Sequence, residues 1–509
     1  MKVICNFVKD FFVSYIEKTK RGIKMDKKKL IAIFLAFTVF FIIVLLPNPD
    51  TLPIAGQRAL AILALAVILW VTEAVTYQVS AVLIVVLMTV FIGLAPMIED
   101  PSVTYSSTGA LKMALSGLSS PAVGLVAGAL FIAAAMEITG LHKRLALFIM
   151  SKVGTKTSNL VFGTIVVSIA LALFVPSATA RAGTIIPILL GIVAAFKLPK
   201  TSRLSALLII TAVQSISIWN IGIKTAAAQN MVALGFMEQS FGTNITWGQW
   251  LLYAGPWSII MSVILFFVMN KLIKPELGEL QGGKEIISTQ LKELGKISSK
   301  EWKLIIISLV LLILWATEGI IHPFDSTTVT IAAVAVMLFP QIGIFTWKEV
   351  ESKIPWGTIS VFAIGISLGT VLLQTQGASW LSERTLEAVG LTSMPLVFII
   401  MVLTLFNILI HLGFASATSL SSAFIPIVIA LVMSMEPTSF NGPGLVLIQQ
   451  FAVSFGFLLP VSAPQNMLAY GTGAFTTKDL LKSGIPITLV GYLLIIIFSL
   501  TYWQWIGLL

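Results

Sequence analysis

Ser177-Ala178-Thr179 and Ser416-Ala417-Thr418 each set two hydroxyls between strongly apolar runs, and the triplets stand 239 residues apart. Ile186-Pro187 and Ile425-Pro426 keep that spacing, so the copies share a register without a gap. A helix that begins at such a polar tip points unpaired N–H groups and the positive end of its dipole at whatever lies there, which suits an anion. Arg181, one turn into the first copy, strengthens that bias. A second pair, Gln229-Asn230-Met231 and Gln465-Asn466-Met467, recurs at a spacing of 236 residues. Each member sits in a polar interruption of a long apolar stretch, one holding Lys224, Thr225 and Ala227, the other Ser462, Ala463 and Pro464.

Two tips and two interruptions make four half-elements that could meet around one anion. Hydroxyls of Ser177, Thr179, Ser416 and Thr418 can donate to carboxylate oxygens. Ala178, Ala417, Thr225, Ala227, Asn230, Ser462, Ala463, Pro464 and Asn466 complete the expected lining. Arg181, Lys224 and His411 are cations or potential cations inside the same apolar segments. A charge at mid-membrane depth costs about 2.5–3.5 kcal/mol on insertion scales, so it marks a functional path or a buried pair unless it snorkels to the surface. The bland reading of the hydroxyls is helix capping and close packing; two in-register copies weigh against it.

The elements that must position these residues follow from composition. Of 509 residues 57% are hydrophobic and only 11% charged, whereas a soluble domain has about a quarter charged. The fold class is therefore an all-α polytopic membrane protein. Its +10 net charge gathers at loop ends near apolar runs, which fits positive-inside bias rather than nucleic-acid binding. Cys5 has no partner cysteine, and His142, His322 and His411 form no metal motif, so neither metal nor cofactor is expected. No nucleophile and base pair suggests an enzyme.

In chain order, residues 1–29 read as a basic, amphipathic, cytoplasmic segment on the membrane surface. Residues 30–57 hold an extra first span and loop, residues 58–270 a first repeat, 271–303 a mixed-charge cytoplasmic linker, and 304–509 a second repeat. Trp70-Val71-Thr72-Glu73 is echoed by Trp315-Ala316-Thr317-Glu318, and each glutamate reads as an anchor beside a tryptophan. The first Ser-Ala-Thr segment, from Leu160 to Phe196, has basic residues at both ends (Lys152, Lys156, Lys197, Lys200), so it is a re-entrant hairpin opening inward. The second, Pro395–Met433, is flanked by Glu383, Glu387 and Glu436 and opens outward. Leu204–Phe236 and Leu445–Ala474 are broken helices. About 11 transmembrane helices result, with the N-terminus cytoplasmic and the C-terminus external. Five crossings per repeat make the two repeats opposite in topology, the inverted-repeat logic of secondary transporters.

At the tips and interruptions the chain resembles the divalent anion/sodium symporter (DASS, INDY-like) family, over nearly all its length from about residue 55. That family carries Ser-Asn-Thr at each tip; here both tip asparagines are alanine, Ala178 and Ala417. The resemblance is closest to the exchanger branch of 2-oxoglutarate/malate and citrate/succinate antiporters. It implies a cell-membrane dicarboxylate carrier moving by an elevator mechanism on a homodimeric scaffold. With sodium ligands missing, Arg181, Lys224 and His411 are expected to supply the positive charge, giving sodium-independent exchange; a sodium-coupled symporter of the same fold is the alternative.

Overall fold

The computed structural model describes residues 27–279, 283–389, 394–435 and 441–509. The expected surface segment 1–29, apart from its last three residues, and Glu436 lie outside the described residues.

The described residues form helices, nine of them long and apolar enough to cross a membrane. Lys27–Leu45, Ile54–Thr72 and Tyr77–Leu87 with its π-helical continuation Met88–Ile92 supply the first three expected spans. Pro121–Thr139, the fourth span of the chain, and Trp356–Gln374 are the corresponding third spans of the two repeats. They begin at or just after a proline, where a missing N–H costs nothing.

Each is followed by a short helix absent from the sequence reading, Leu141–Lys152 and Gly377–Val389. Their polar and apolar residues alternate at helical spacing over too few residues to cross a bilayer, so a hydropathy reading passes them as loop. The linker likewise contains a helix, Gly283–Glu293. Arg144 stitches that linker to the first of these short helices: its Nε meets Glu301 at 2.6 Å, and its other nitrogens donate to the carbonyls of Leu294 and Gly295 at 3.1 and 3.0 Å.

The first hairpin is Thr157–Phe174 and Ala178–Ala195; the second is Leu396–His411 and Ala417–Ser434. An 18-residue arm is about 27 Å long, so length alone would let it span. In the fold, the second arm of the first hairpin lies against Pro464–Tyr470 of the second break, and that of the second hairpin against Ala228–Phe241 of the first. The repeats thus cross over, the second arm of each hairpin packing on the other repeat's broken helix.

The first broken helix runs Arg203–Gly222, a single turn Lys224–Ala226, then Ala228–Phe241. The second runs Gly442–Ala452, a turn Pro460–Ser462, then Pro464–Tyr470. Every residue of Arg203–Gly222 beyond its first is buried, so this helix is the axis of the bundle. Trp247–Leu272 and Thr477–Leu500 close the repeats, each opening with a threonine capping box, Thr246 with Gln249 and Thr476 with Asp479.

Candidate functional site

At both tips the serine hydroxyl is the helix cap. Ser177 accepts from the Ala180 N–H at 3.2 Å and Ser416 from the Ser419 N–H at 3.3 Å. Thr179 is exposed, while Ala178, Ala417 and Thr418 are half-buried. The serines thus hold the turns, and the threonine hydroxyls take no part in that capping.

The two breaks are built alike. Ala227 and Ala463 are extended, at φ −148° and −155°, and precede a helix without a side-chain cap. The first N–H groups of Ala228–Phe241 thus lack the usual serine or threonine acceptor. Asn230 donates its amide to the carbonyls of Asn220 at 2.8 Å, Lys224 at 3.2 Å and Ile223 at 3.3 Å. Asn466 donates to Gly456 at 2.7 Å and Leu459 at 3.2 Å. These asparagines satisfy carbonyls that the broken helix leaves open, a bracing role that the sequence reading did not separate from ligand contact.

Three glutamines outside the expected lining tie the breaks together. Gln229 donates to the Ser454 hydroxyl and Gln465 to the Ser217 hydroxyl, each at 3.1 Å. Gln450 reaches Asn230 at 3.3 Å and accepts from Ser421 of the second hairpin at 2.8 Å. The recurrence of Gln-Asn-Met is the available signal for Gln229 and Gln465, whereas Gln450 stands outside either copy.

Three cationic or potentially cationic side chains are buried here. Arg181 is wholly buried; it donates to the Asn220 side-chain oxygen and to the Ala226 carbonyl at 2.9 Å, and its Nε and Nη1 have no partner. His411 is buried beside the second break. Its Cε1 lies 3.4 Å from where a β-carbon on Gly456 would stand, its ring approaches the Ser462 backbone, and neither nitrogen reaches hydrogen-bond geometry. Gly456 and Ser462 are the repeat equivalents of Asn220 and Ala226, at the same 236-residue spacing. Each hairpin therefore lays one basic side chain under the corresponding point of its own break.

Lys224 is placed differently. Its Nζ donates to the Ile245 carbonyl at 2.7 Å, turned toward the loop before Trp247. Thr225 accepts from the Trp247 indole at 3.2 Å, so its hydroxyl is also engaged there. Trp247 stacks on Trp315 at 6.4 Å, and its backbone N–H donates to the Glu318 carboxylate at 3.2 Å. Glu318 also accepts from the Ser326 hydroxyl at 2.5 Å, an anchor holding the first break to the second repeat. Glu73, its counterpart, is exposed and takes a left-handed φ of 47°. Neither Arg181 nor Lys224 faces lipid or an aqueous rim, at 0% and 4% exposure. Pro464 is exposed, and the Ser462 hydroxyl is buried without a partner.

A polytopic helical bundle with paired hairpins and broken helices meeting in its interior defines a membrane transporter, not an enzyme. Residues 27–509 match the family described as "Sodium:sulfate symporter transmembrane region", and the chain belongs to that family, which includes the divalent anion/sodium symporters. It is 46% identical over 475 residues to a "Membrane protein" of Cupriavidus necator, covering 93% of this chain and 92% of that one. It is 27% identical to the "Citrate/succinate antiporter" of Escherichia coli, covering 90% of this chain and 93% of that one. Identity to the "Sodium-dependent dicarboxylate transporter SdcS" of Staphylococcus saprophyticus is 24%, covering 96% and 93%. Among solved structures, the YdaH transporter of Alcanivorax borkumensis shares the fold at a TM-score of 0.55 and 14% identity, over 83% of this chain and 97% of that one.

Proposed function

We propose that this protein is a sodium-independent dicarboxylate exchanger for substrates of the 2-oxoglutarate, succinate or malate type. One observation carries the reading: Arg181 lies wholly buried beneath the first break, where its fixed positive charge can stand in for a bound cation, and His411, a potential cation, lies at the equivalent point of the second. The similarity to a citrate/succinate antiporter agrees with it.

The charge argument favours exchange. Moving an empty site with an uncompensated guanidinium through an apolar barrier costs several kcal/mol, whereas a bound dianion cancels the charge. The loaded carrier moves and the empty one does not. Arg181 carries that permanent charge, Thr179 and Thr418 with the open helix starts hold the carboxylates, and Lys224 adds positive potential to the first break. Alanine at 178 and 417 removes the tip amides that the resemblance associates with sodium. The hairpins and broken helices are the moving body of an elevator, on a homodimeric scaffold in the cell membrane, with the N-terminus cytoplasmic and the C-terminus external.

Proteoliposomes provide the test. Uptake of labelled succinate should require unlabelled dicarboxylate inside and persist without sodium. Uptake into empty vesicles driven by a sodium gradient would instead establish the symporter reading, which the similarity to SdcS keeps in view.

A further inference from the structure

We propose that a cavity between the linker and the first hairpin binds an anionic diacyl phospholipid from the leaflet at the basic end of the bundle. The cavity holds about 580 Å³; no tip or break residue lines it, and Phe174 in its wall stands three residues before Ser177. Its walls are Met136, Leu145, Phe148, Phe174, Ile305 and Leu309, drawn from the fourth span, the short helix after it, the hairpin and Ser299–Ala316. Phe148 and Leu309 are 52% and 49% exposed, so the apolar wall opens sideways toward the hydrocarbon. Acyl chains gain by covering such a surface.

Three polar features specify the rest of the ligand. Lys292 stands at the mouth, exposed and without an ion-pair partner among the described residues. Arg144, also at the mouth, has its charge engaged by Glu301, so Lys292 is the cation available to a phosphate. Deeper in, Ser308 lines the wall with a buried hydroxyl that has no acceptor. Serines in membrane helices commonly bond the carbonyl one turn back; this one does not. Ser308 is seven residues beyond Glu301, which places it about 10 Å deeper along the helix. A phosphate at Lys292 with ester carbonyls below it would meet the hydroxyl with an acceptor, and the tails would fill the apolar remainder.

The site is built from two bodies. Phe174 ends the hairpin arm that leads to Ser177, whereas Lys292 and Ser308 belong to the linker helix and the next span. A lipid seated there touches both, and biases whichever arrangement keeps the cavity open.

Binding is read independently of transport, so failure of the exchange reading leaves this test intact. The full chain is reconstituted in phosphatidylcholine vesicles with added phosphatidylglycerol, extracted gently and weighed by native mass spectrometry. Wild type should retain phosphatidylglycerol; Lys292→Gln and Leu145→Trp should retain several-fold less, at unchanged thermal unfolding. Should Leu145→Trp not fold, Lys292→Gln alone carries the comparison. Equal retention by wild type and Lys292→Gln, preference for phosphatidylcholine, or displacement by oleate at stoichiometric amounts overturns the proposal.

Discussion

Asn230 and Asn466 do the same thing in the two halves of the protein: each lends its side-chain amide to the carbonyl ten residues before it, at 2.8 Å to Asn220 and 2.7 Å to Gly456. A helix broken inside an apolar bundle leaves carbonyls with no helical donor. Unpaired, each would cost about 1–3 kcal/mol. The two repeats thus meet one physical problem with one residue, each just inside a helix that starts from an extended alanine without a side-chain cap.

Removing either amide should therefore cost stability before it costs affinity. Asn230→Ala and Asn466→Ala are expected to lose about 1–3 kcal/mol each. Thermal unfolding in detergent checks this; unchanged melting in both would show that the carbonyls find other donors.

Arg181 reaches both acceptors, the Asn220 side-chain oxygen and the Ala226 carbonyl, through Nη2 alone, with Nε and Nη1 left without a partner. A lysine offers one nitrogen and lacks those two further donors and the planar group that aims them. Arg181→Ala should abolish exchange in a folded protein. Arg181→Lys should lose about 2 kcal/mol of binding, roughly thirtyfold in apparent affinity. Counterflow of labelled succinate measures both, and wild-type exchange in Arg181→Ala would remove the guanidinium from the mechanism.

Lys224 serves the first break from the side of the 242–246 loop. Lys224→Ala is expected to abolish exchange and also to lower the melting temperature, because the Ile245 carbonyl loses its donor. Lys224→Met, which keeps the stem, should share the transport defect. Normal exchange by a folded Lys224→Ala would leave only the tether.

Glu276 links the linker's start to the bundle axis by accepting from the Arg203 and Leu204 N–H groups at 2.6 and 3.1 Å. Partial burial works to raise its carboxyl, but those N–H donors and the Arg203 charge outweigh it and hold it below the usual glutamate value. A carboxyl lowered in the folded state stabilises above its unfolded pKa and loses that contribution as pH falls through the folded value. Glu276→Gln should therefore melt earlier than wild type near neutral pH, and the difference should shrink in acid. A pH-independent gap would mean that the cap acts without its charge.

The tips, breaks, spans and repeats were legible in the chain because they depend on local rules. Apolar length sets a crossing, Ser before an apolar run starts a helix, and duplicated motifs keep their spacing. Short helices such as Leu141–Lys152 were not legible, since their stability comes from packing against neighbours rather than from length or hydropathy. Likewise, nothing local told whether Asn230 would brace carbonyls, or that Lys224 would turn to Ile245.

The pairing of Arg181 with His411 shows the division most sharply. By repeat spacing Arg181 corresponds to Leu420 and His411 to Ala172, so no alignment of the halves matches them. They come from opposite arms of their hairpins, and only the way each hairpin packs on its own break brings both to the same point. Sequence determined that basic groups would be held in the membrane interior; tertiary packing decided where, because a long side chain's partner is set by the distant surfaces folded around it.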